Sequence, residues 1–288
     1  MPMKIALHGR DFRQKSSRFV EKVLTMLTSH GADLMVSEKF AEYYSLSDKF
    51  KVFKESKQLK NVDHFISIGG DGTLLESVAY IGRKEIPVMG INTGRLGFLA
   101  TISREETEQG IRDLFKGKLK TSPRALLQLD STPGLFGKMP YALNDFTILK
   151  KDTSMIRVEV FVDGELLNAY WADGLVVSTP TGSTGYSLSC GGPLVHPRSE
   201  SIIITPVSPH NLTVRPIVVS DKVELEFRVE GRAKNFQVSL DTRYETIDDS
   251  FSLRIRRAPF RVKLAQLADH HYFSTLRQKL NWGLDIRN

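Results

Sequence analysis

Hydrophobic and polar positions follow two different rhythms along the chain, and the rhythm changes near residue 122. In the first half, short apolar runs alternate with segments whose apolar residues recur every three or four positions, the spacing of one helical face. Residues 16–31 form the clearest such segment, and Gly31 is a typical C-terminal stop signal. The short apolar runs predict strands at residues 4–9, 33–37, 64–68 and 86–92. Strands that alternate with helices predict an open parallel sheet covered by helices.

The second half consists mainly of short runs in which every second residue is apolar, the spacing of half-buried strands. In VELEFRV, residues 223–229, the apolar residues alternate with charged ones. Residues 162–166, VDGEL, carry the turn signal of a β-hairpin. This pattern predicts an all-β layered domain. Residues 274–286 are helical in pattern again and could pack back on the first domain.

The length of 288 residues is sufficient for two ordinary domains. Low-complexity tracts and repeats of fixed period are absent from the sequence, which excludes solenoids and disordered arrays. We therefore expect an α/β domain at residues 1–122, a β-rich domain at residues 123–265 and a helical segment at residues 266–288 that returns to the first domain.

The chain is basic, with a net charge of +7 and a pI near 9.4. Such a balance favours anionic partners, although it equally serves solubility. The densest basic run, residues 49–60, is interpreted as one solvated face of a helix or loop. No nucleic-acid-binding motif accompanies this run, so we expect no nucleic-acid partner.

The sequence lacks an apolar secretory segment at its start and an apolar run long enough to span a bilayer. Cys190 is the single cysteine, which excludes an internal disulfide and a thiolate metal cluster. We expect a cytoplasmic protein that does not bind membranes. The seven histidines form no recognisable metal-binding pattern, and we interpret Cys190 as a packing residue.

The segment ISIGGDGTLLESV, residues 66–78, joins a predicted strand to a predicted helix through a glycine-rich turn. Ligands of open α/β sheets bind at the carboxyl ends of strands, and backbone N–H groups at a helix start attract phosphate. Gly69, Gly70 and Gly72 would let phosphate oxygens approach the backbone closely. Asp71 would repel phosphate, so its position suggests a general base or a metal ligand. The alternative is a simple turn with an N-capping aspartate.

This turn does not match the Rossmann or P-loop glycine patterns. GGDGT, residues 69–73, resembles the signature shared by NAD kinases, by diacylglycerol and sphingosine kinases and, in a close variant, by phosphofructokinases. The resemblance implies phosphoryl transfer to a hydroxyl group and leaves the acceptor open.

Three further motifs bear on the acceptor. NTGRLGFLA, residues 92–100, offers Arg95 for a phosphate and Phe98 for a base, or it is an ordinary turn with a core phenylalanine. In ALNDFTI, residues 142–148, neighbouring amide and carboxylate groups could grip vicinal ribose hydroxyls, or they form the turn at the start of a strand. DGLVVSTPTGSTGYSLSCGGPLV, residues 173–195, supplies many hydroxyl and backbone donors and an aromatic ring for stacking.

Taken in this order, the four motifs resemble those of the NAD kinase family, and SPHNLTVRPIV, residues 208–218, is similar to the family's proline-histidine-arginine segment. The resemblance spans roughly residues 66–220. Lipid kinases and phosphofructokinases lack the TPTGST loop, so the combination favours NAD as the acceptor.

The resemblance implies that ATP, with a divalent cation that is usually magnesium, phosphorylates the adenosine 2′-hydroxyl of NAD to give NADP. Asp71 would be the general base, Asn144 and Asp145 would hold the ribose on the nicotinamide side, and Asp173 would lie near the nicotinamide amide. The remaining implied NAD-binding residues are Gly72, Arg95, Phe98, Thr181, Thr184, Gly185, Tyr186, Ser187 and Ser189. The implied cradle for the ATP phosphates is Gly69, Gly70, Gly72 and Thr73. The resemblance does not identify the metal ligands. Because members of the family are usually dimers or tetramers, it implies a homodimer or homotetramer.

The sequence departs from the family pattern in three places. Asn144-Asp145 stands for the usual Asn-Glu, GSTGY for GSTAY, and SLDTR at residues 239–243 for a segment with Asp-Gly. Two alternatives to an NAD kinase stay open: a related kinase that acts on a lipid or sugar hydroxyl, and a regulator that binds NAD(P) without turnover. His210 could contact ligand or cap a turn. Trp171 and Tyr170 precede Asp173 and could face the pocket, although packing within a strand is favoured.

Overall fold

The computed structural model describes residues 2–10, 17–94, 97–232 and 234–282. The chain divides into two compact units. The first consists of Met1–Pro123 together with Val262–Asn288, and the second of Arg124–Arg261.

Most of the described residues lie in strands and helices. In chain order the strands are β1 (Lys4–Gly9), β2 (Asp33–Ser37), β3 (Lys51–Phe53), β4 (His64–Gly69), β5 (Val88–Asn92), β6 (Lys120–Arg124), β7 (Leu127–Thr132), β8 (Tyr141–Ala142), β9 (Asp145–Lys150), β10 (Ile156–Val162), β11 (Glu165–Ala172), β12 (Gly174–Ser178), β13 (Ser201–Val207), β14 (Ile217–Ser220), β15 (Leu225–Gly231), β16 (Phe236–Leu240), β17 (Arg243–Ile247), β18 (Ser252–Arg257) and β19 (Val262–Gln266). The α-helices are α1 (Ser17–Ser29), α2 (Glu38–Tyr44), α3 (Asp71–Ile81), α4 (Thr107–Phe115), α5 (Tyr186–Ser189) and α6 (Tyr272–Leu280).

The first unit contains a seven-stranded sheet in the order β3-β2-β1-β4-β5-β19-β6. The strand pairs from β3 across to β19 are parallel, as predicted. Strand β1 lies between β2 and β4, so the chain winds outward in one direction up to β3 and in the other direction from β4 onward. The winding direction therefore switches between the carboxyl ends of β1 and β4, the place where open α/β sheets bind ligands.

The predicted amphipathic helix is confirmed as α1, which buries one face against the sheet. Its core residues are Val20, Val23, Leu24 and Leu27. Ile5 and Leu7 of β1 belong to the same hydrophobic cluster. Because successive side chains of a strand point to opposite faces, His8 lies on the other face of the sheet, where it contacts Glu76 of α3.

One sequence interpretation is wrong in part. Residues 49–60, read as a solvated helix or loop, contain strand β3, and Phe53 is fully buried. Lys51 is exposed on this strand, which ends the sheet order. Lysines on an outer strand discourage pairing with other chains, so the basic composition concealed a short edge strand.

The second unit contains two six-stranded sheets, in the orders β11-β10-β15-β18-β7-β8 and β14-β13-β12-β9-β16-β17. The recorded strand pairs within them are antiparallel. Residues from both sheets, such as Phe146 and Phe227, share one hydrophobic core. The predicted hairpin turn is confirmed at Asp163 and Gly164, whose φ angles of 49° and 86° are positive. An α/β unit and a layered β unit are therefore both present, as the pattern predicted.

No helix among the described residues is both long enough and apolar enough to cross a membrane.

Candidate functional site

The glycine turn lies at the carboxyl end of β4, directly before α3. Gly70 is the N-cap residue, and its carbonyl oxygen accepts hydrogen bonds from the N–H groups of Thr73 and Leu74 at 3.1 and 3.2 Å. A Cβ atom placed on Gly70 or Gly72 would meet nothing within 4 Å, so the space beside both residues is open. Thr73 is buried in the first turn of α3. The turn thus has room for a ligand at a helix N-terminus.

Asp71 is the first residue of α3 and does not act as its N-cap. Its carboxylate instead holds the segment that follows β5. Oδ2 accepts the N–H of Phe98 at 2.8 Å, and Oδ1 accepts those of Leu99 and Ala100 at 3.1 and 2.9 Å. A carboxylate offers about four acceptor positions, so one position on Oδ2 stays available. This side chain is partly exposed and fixed in one orientation, which suits a group that must accept a proton from a ligand.

Gly97 makes this arrangement possible. A Cβ atom at this position would lie 1.9 Å from Oδ1 of Asp71. The preceding part of the loop is shaped by Asn92, whose Oδ1 accepts the N–H of Gly94 at 2.7 Å and whose Nδ2 donates to the Ala100 carbonyl at 3.3 Å. The glycines and the asparagine of the NTGRLGF motif therefore hold its backbone against Asp71.

Phe98 and Arg95 are the two residues of this motif that were predicted to meet a ligand. The Phe98 ring is half-buried, and the Lys279 ammonium of α6 lies 5.8 Å from its centre. Arg95, the predicted phosphate ligand of the loop, lies outside the described residues.

In the second unit, Asn144 and Asp145 lie at the start of β9, where the half-buried Asp241 fixes the backbone. Asp241 accepts the N–H groups of Leu143, Asn144 and Asp145 at 2.8, 2.7 and 3.3 Å. The side-chain oxygen of Asn144 is buried without a hydrogen-bond partner among the described residues. A buried acceptor without a partner is costly, so this oxygen is a candidate for a ligand hydroxyl.

Asp145 is buried, with 8% of the residue exposed, and its carboxyl group lies near Asp241. Burial, reinforced by the negative charge of Asp241, raises the pKa of Asp145 to about 7. Burial also raises the pKa of Asp241, while the three backbone donors and Arg243 oppose that rise. The pair therefore retains a proton near neutral pH, and Asp145 can donate a hydrogen bond as well as accept one.

Asp145→Asn is expected to gain stability over the wild type as the pH rises. The folded pKa of Asp145, about 7, lies above its ordinary value of 3.8, so this group's contribution is fully present below pH 4 and is lost as the pH rises through 7. Between pH 5 and pH 8 the variant should gain about 2 to 3 kcal/mol in free energy of unfolding relative to the wild type. Urea unfolding at both pH values measures this gain. Asp249→Asn, at an exposed position, is the control. If Asp145→Asn differed from the wild type by the same free energy of unfolding at both pH values, the raised pKa of Asp145 would be contradicted.

The TPTGST loop connects β12 to α5, and most of its hydroxyl groups hold the loop itself. Thr179 Oγ1 donates to the Leu143 carbonyl at 2.6 Å and accepts the N–H of Gly182 at 3.1 Å. Ser183 Oγ bonds to Pro180 and Val195. A Cβ atom on Gly182 would lie 2.1 Å from the Asn144 carbonyl oxygen, so this glycine permits close approach of two backbone segments.

The predicted ligand residues of this loop fall into two groups. Ser187 is fully buried and its Oγ lies 2.9 Å from Oγ1 of Thr205, while Thr181 is 6% exposed. Tyr186 and Ser189 are exposed, and Thr184 is half-buried with its hydroxyl 3.3 Å from the Thr181 carbonyl. The exposed and half-buried members are therefore free to meet a ligand directly, whereas the Ser187 hydroxyl supports the loop.

Two departures from the family pattern lie next to each other. A Cβ atom on Gly185 would stand 3.7 Å from Oδ2 of Asp145 and 3.7 Å from Nδ2 of Asn144, and 3.2 Å from the Gly182 carbonyl oxygen. The shorter acid and the missing methyl group both enlarge the same space.

Asp173 forms a half-buried ion pair with Lys150, with its Oδ1 2.6 Å from Nζ. Both line a cavity of about 730 Å³, together with Trp171, His210 and Arg157. Of the two aromatic residues before Asp173, Tyr170 is buried, as favoured, whereas the Trp171 side chain is exposed and lines this cavity, which is the alternative. His210 also lines the cavity, and its N–H donates to the Trp171 carbonyl.

The described residues contain no group of three or more His, Cys, Asp and Glu side chains placed to hold a metal ion. Burial raises the pKa of the Cys190 thiol, which disfavours the reactive thiolate.

Several residues that shape these sites were missed. The neighbours of Gly97 in the sequence do not show that a glycine is needed there. That need comes from the Asp71 side chain, 26 positions earlier. Asp241 is marked in the sequence only by lying in the SLDTR segment, which departs from the family pattern. Arg10 offered a usable signal, since a charged residue directly after the first strand lies at the same sheet edge as the glycine turn.

Comparisons with known proteins match nearly the whole chain. The model of the ATP-NAD kinase N-terminal domain matches residues 5–119, and that of the ATP-NAD kinase C-terminal domain matches residues 143–267. The NAD kinase of Cytophaga hutchinsonii is 49% identical over 292 residues, which cover 99% of this chain and 100% of the relative. The NAD kinase of Bacteroides fragilis is 43% identical over 289 residues, with the same coverage of both chains.

Two solved structures share the fold. Yeast NADH kinase complexed with NADH superposes with a TM-score of 0.89 at 20% identity, covering 99% of this chain and 89% of the other. An NAD kinase from Archaeoglobus fulgidus in complex with ATP gives a TM-score of 0.74 at 27% identity, covering 97% and 99%. With both domain models matched in order and close relatives aligned from end to end, this chain belongs to the ATP-NAD kinase family.

Proposed function

We propose that this protein transfers the γ-phosphoryl group of ATP to the adenosine 2′-hydroxyl of NAD, forming NADP and ADP. The observation that carries the proposal is the Asp71 carboxylate. It is held by three backbone N–H groups beside an open glycine turn and keeps one acceptor position on Oδ2. Family membership supports the acceptor and the donor, because the relatives are NAD kinases and one structural neighbour was solved with ATP.

The proposed step is a direct displacement. The 2′-hydroxyl donates its hydrogen bond to Oδ2 of Asp71, which aligns an oxygen lone pair with the γ-phosphorus. The new O–P bond forms as the bond between the γ-phosphorus and the β–γ bridging oxygen breaks, ADP leaves, and the proton passes to Asp71. Phosphoryl transfer proceeds through a loose transition state, so orientation of the nucleophile contributes more than covalent chemistry by the protein.

The donor phosphates are assigned to the glycine turn, with Gly69, Gly70, Gly72 and Thr73 as the cradle. The open space beside Gly70 and Gly72 and the N-terminus of α3 support this assignment. We propose that magnesium enters as MgATP, a substrate complex in which the phosphates supply most of the ligands. In support of that view, the described part of the chain has no group of three or more His, Cys, Asp and Glu side chains that could hold the ion without the phosphates.

The ribose on the nicotinamide side is assigned to Asn144 and Asp145. Support comes from the unpartnered Asn144 oxygen, which can accept from a hydroxyl, and from Asp145, which can donate or accept near neutral pH. The remaining proposed contacts to NAD are Gly72, Arg95, Phe98, Asp173, Thr181, Thr184, Gly185, Tyr186 and Ser189, and Ser187 is proposed to act through the loop that it supports. Assembly as a homodimer or homotetramer and a cytoplasmic location stay predictions.

The purified protein is expected to form NADP from NAD, ATP and magnesium chloride, and to lose this activity when EDTA exceeds magnesium. An NADP-specific dehydrogenase detects the product. NAD binding without NADP formation would overturn the proposal in favour of a regulator. Neither binding nor turnover of NAD, with ATP consumed on a lipid or sugar hydroxyl, would favour the other acceptor class.

A further inference from the structure

A chain of hydrogen-bonded polar side chains in the first unit runs from buried residues to the surface near the glycine turn. His8 of β1 is fully buried and lies between Ser37 and Glu76. Its Nδ1 is 2.7 Å from Oγ of Ser37, and its Nε2 is 3.0 Å from Oε2 of Glu76. Ser37 is also the N-cap of α2 and accepts the N–H of Phe40. With a hydrogen on Nε2, His8 can donate to Glu76 while its Nδ1 accepts the Ser37 hydroxyl, so each of these groups has a partner.

Glu76 is the point at which this chain meets a surface side chain. Its two oxygens accept a forked contact from Arg10: Nε lies 3.2 Å from Oε2, and Nη2 contacts Oε1. Burial opposes ionisation of Glu76, but the hydrogen bonds from His8 and Arg10 outweigh it and lower the pKa of Glu76 to about 2. Glu76 is thus a permanent anion near neutral pH, and it fixes the plane of the guanidinium.

Arg10 lies where the winding direction of the sheet switches. It follows Gly9, the last residue of β1, and Gly9 pairs with Ile68 of β4, directly before the glycine turn. Its side chain is 49% exposed. Glu76 takes two of its five N–H groups, so three have no acceptor among the described residues. The guanidinium is therefore held in one orientation at the ligand edge, with N–H groups that can meet a ligand.

We propose that Arg10 binds the phosphate groups of the donor nucleotide, and that Glu76, fixed by His8 and Ser37, is the positioning residue that aims it. The inference rests on the proposed function and assigns to the donor site a residue that the motifs do not mark. Free N–H groups of the guanidinium would pair with phosphate oxygens next to the glycine turn, where the helix N-terminus alone offers only backbone donors.

Measuring the binding of an ATP analogue tests this proposal independently of NADP formation. Arg10→Ala is expected to weaken binding of the magnesium complex of a non-hydrolysable ATP analogue by about tenfold or more, as measured by calorimetry. Binding of adenosine, which has no phosphate, should be unchanged. Arg10→Lys should recover part of the affinity, because it keeps the charge and loses the fork. Glu76→Gln should weaken binding less than Arg10→Ala, and in the coupled assay it should raise the KM for ATP more than it lowers kcat.

Arg112→Ala is the matched control, since Arg112 is similarly exposed and paired with Glu108 on α4. It should bind the analogue like the wild type. The proposal would be overturned if Arg10→Ala bound the analogue as tightly as the wild type. It would also be overturned if Arg10→Ala raised the KM for NAD and left the KM for ATP unchanged. A wild type that binds the analogue but makes no NADP would refute the proposed function alone and leave the Arg10 assignment standing.

Discussion

Asp71→Asn is expected to abolish NADP formation, with kcat reduced by about a thousandfold or more, in the range of a lost general base combined with lost positioning. The asparagine offers one oxygen where the carboxylate offers two. Its NH₂ group would face either the Phe98 N–H or the N–H groups of Leu99 and Ala100, all of which are donors. The variant therefore loses both the proton acceptor and the fixed loop. The coupled assay measures kcat, and calorimetry with NAD tests whether binding persists.

Gly97→Ala separates the two losses, because its Cβ displaces the Asp71 carboxylate and the loop but leaves the proton-accepting group chemically intact. We expect a smaller decrease in kcat than for Asp71→Asn. If Asp71→Asn retained more than a tenth of wild-type kcat, the carboxylate would have only a structural role.

Gly182→Ala is expected to destabilise the second unit by about 2 kcal/mol or more and to raise the KM for NAD at least tenfold, in the range of overpacked interiors. The new Cβ would lie 2.1 Å from the Asn144 carbonyl oxygen, and no side-chain rotation can relieve this contact, because the backbone fixes the positions of both atoms. The loop and the Asn144-Asp145 pair must therefore move apart. Urea unfolding and NADP kinetics measure the two effects.

Gly134→Ala is the matched control in the same unit, because a Cβ there meets nothing within 4 Å. Its stability should stay within about 0.5 kcal/mol of the wild type. If Gly182→Ala behaved like this control, the loop would not depend on close approach at that position.

The sequence allowed prediction of those parts of the fold and site that depend on local pattern. The α1 helix follows from its apolar spacing, and the Asp163–Gly164 turn from its dipeptide. The glycine turn could be placed at a strand end because β4 and α3 both have clear patterns. In each case neighbouring residues carry the information, and the parallel sheet then places the strand ends at one edge.

The rest depended on contacts between distant residues. Ser187 and Tyr186 are adjacent in a loop rich in hydroxyl groups, yet one packs against Thr205 and the other is exposed. That difference is set by β13, which the loop's own sequence does not describe. Likewise, the partner of Asp71 is the backbone of residues 98–100, and no side-chain pattern marks a backbone donor.

Strand β19 has a consequence for the order in which the protein can fold during synthesis. It lies between β5 and β6 in the sheet of the first unit, yet it follows the whole second unit along the chain. A ribosome therefore releases every strand of the two β sheets before the α/β sheet can be completed. Until residues 262–266 emerge, β5 lacks one of its neighbours. The nascent first unit must wait with an unpaired strand edge, which chaperones or the ribosome surface would need to shield.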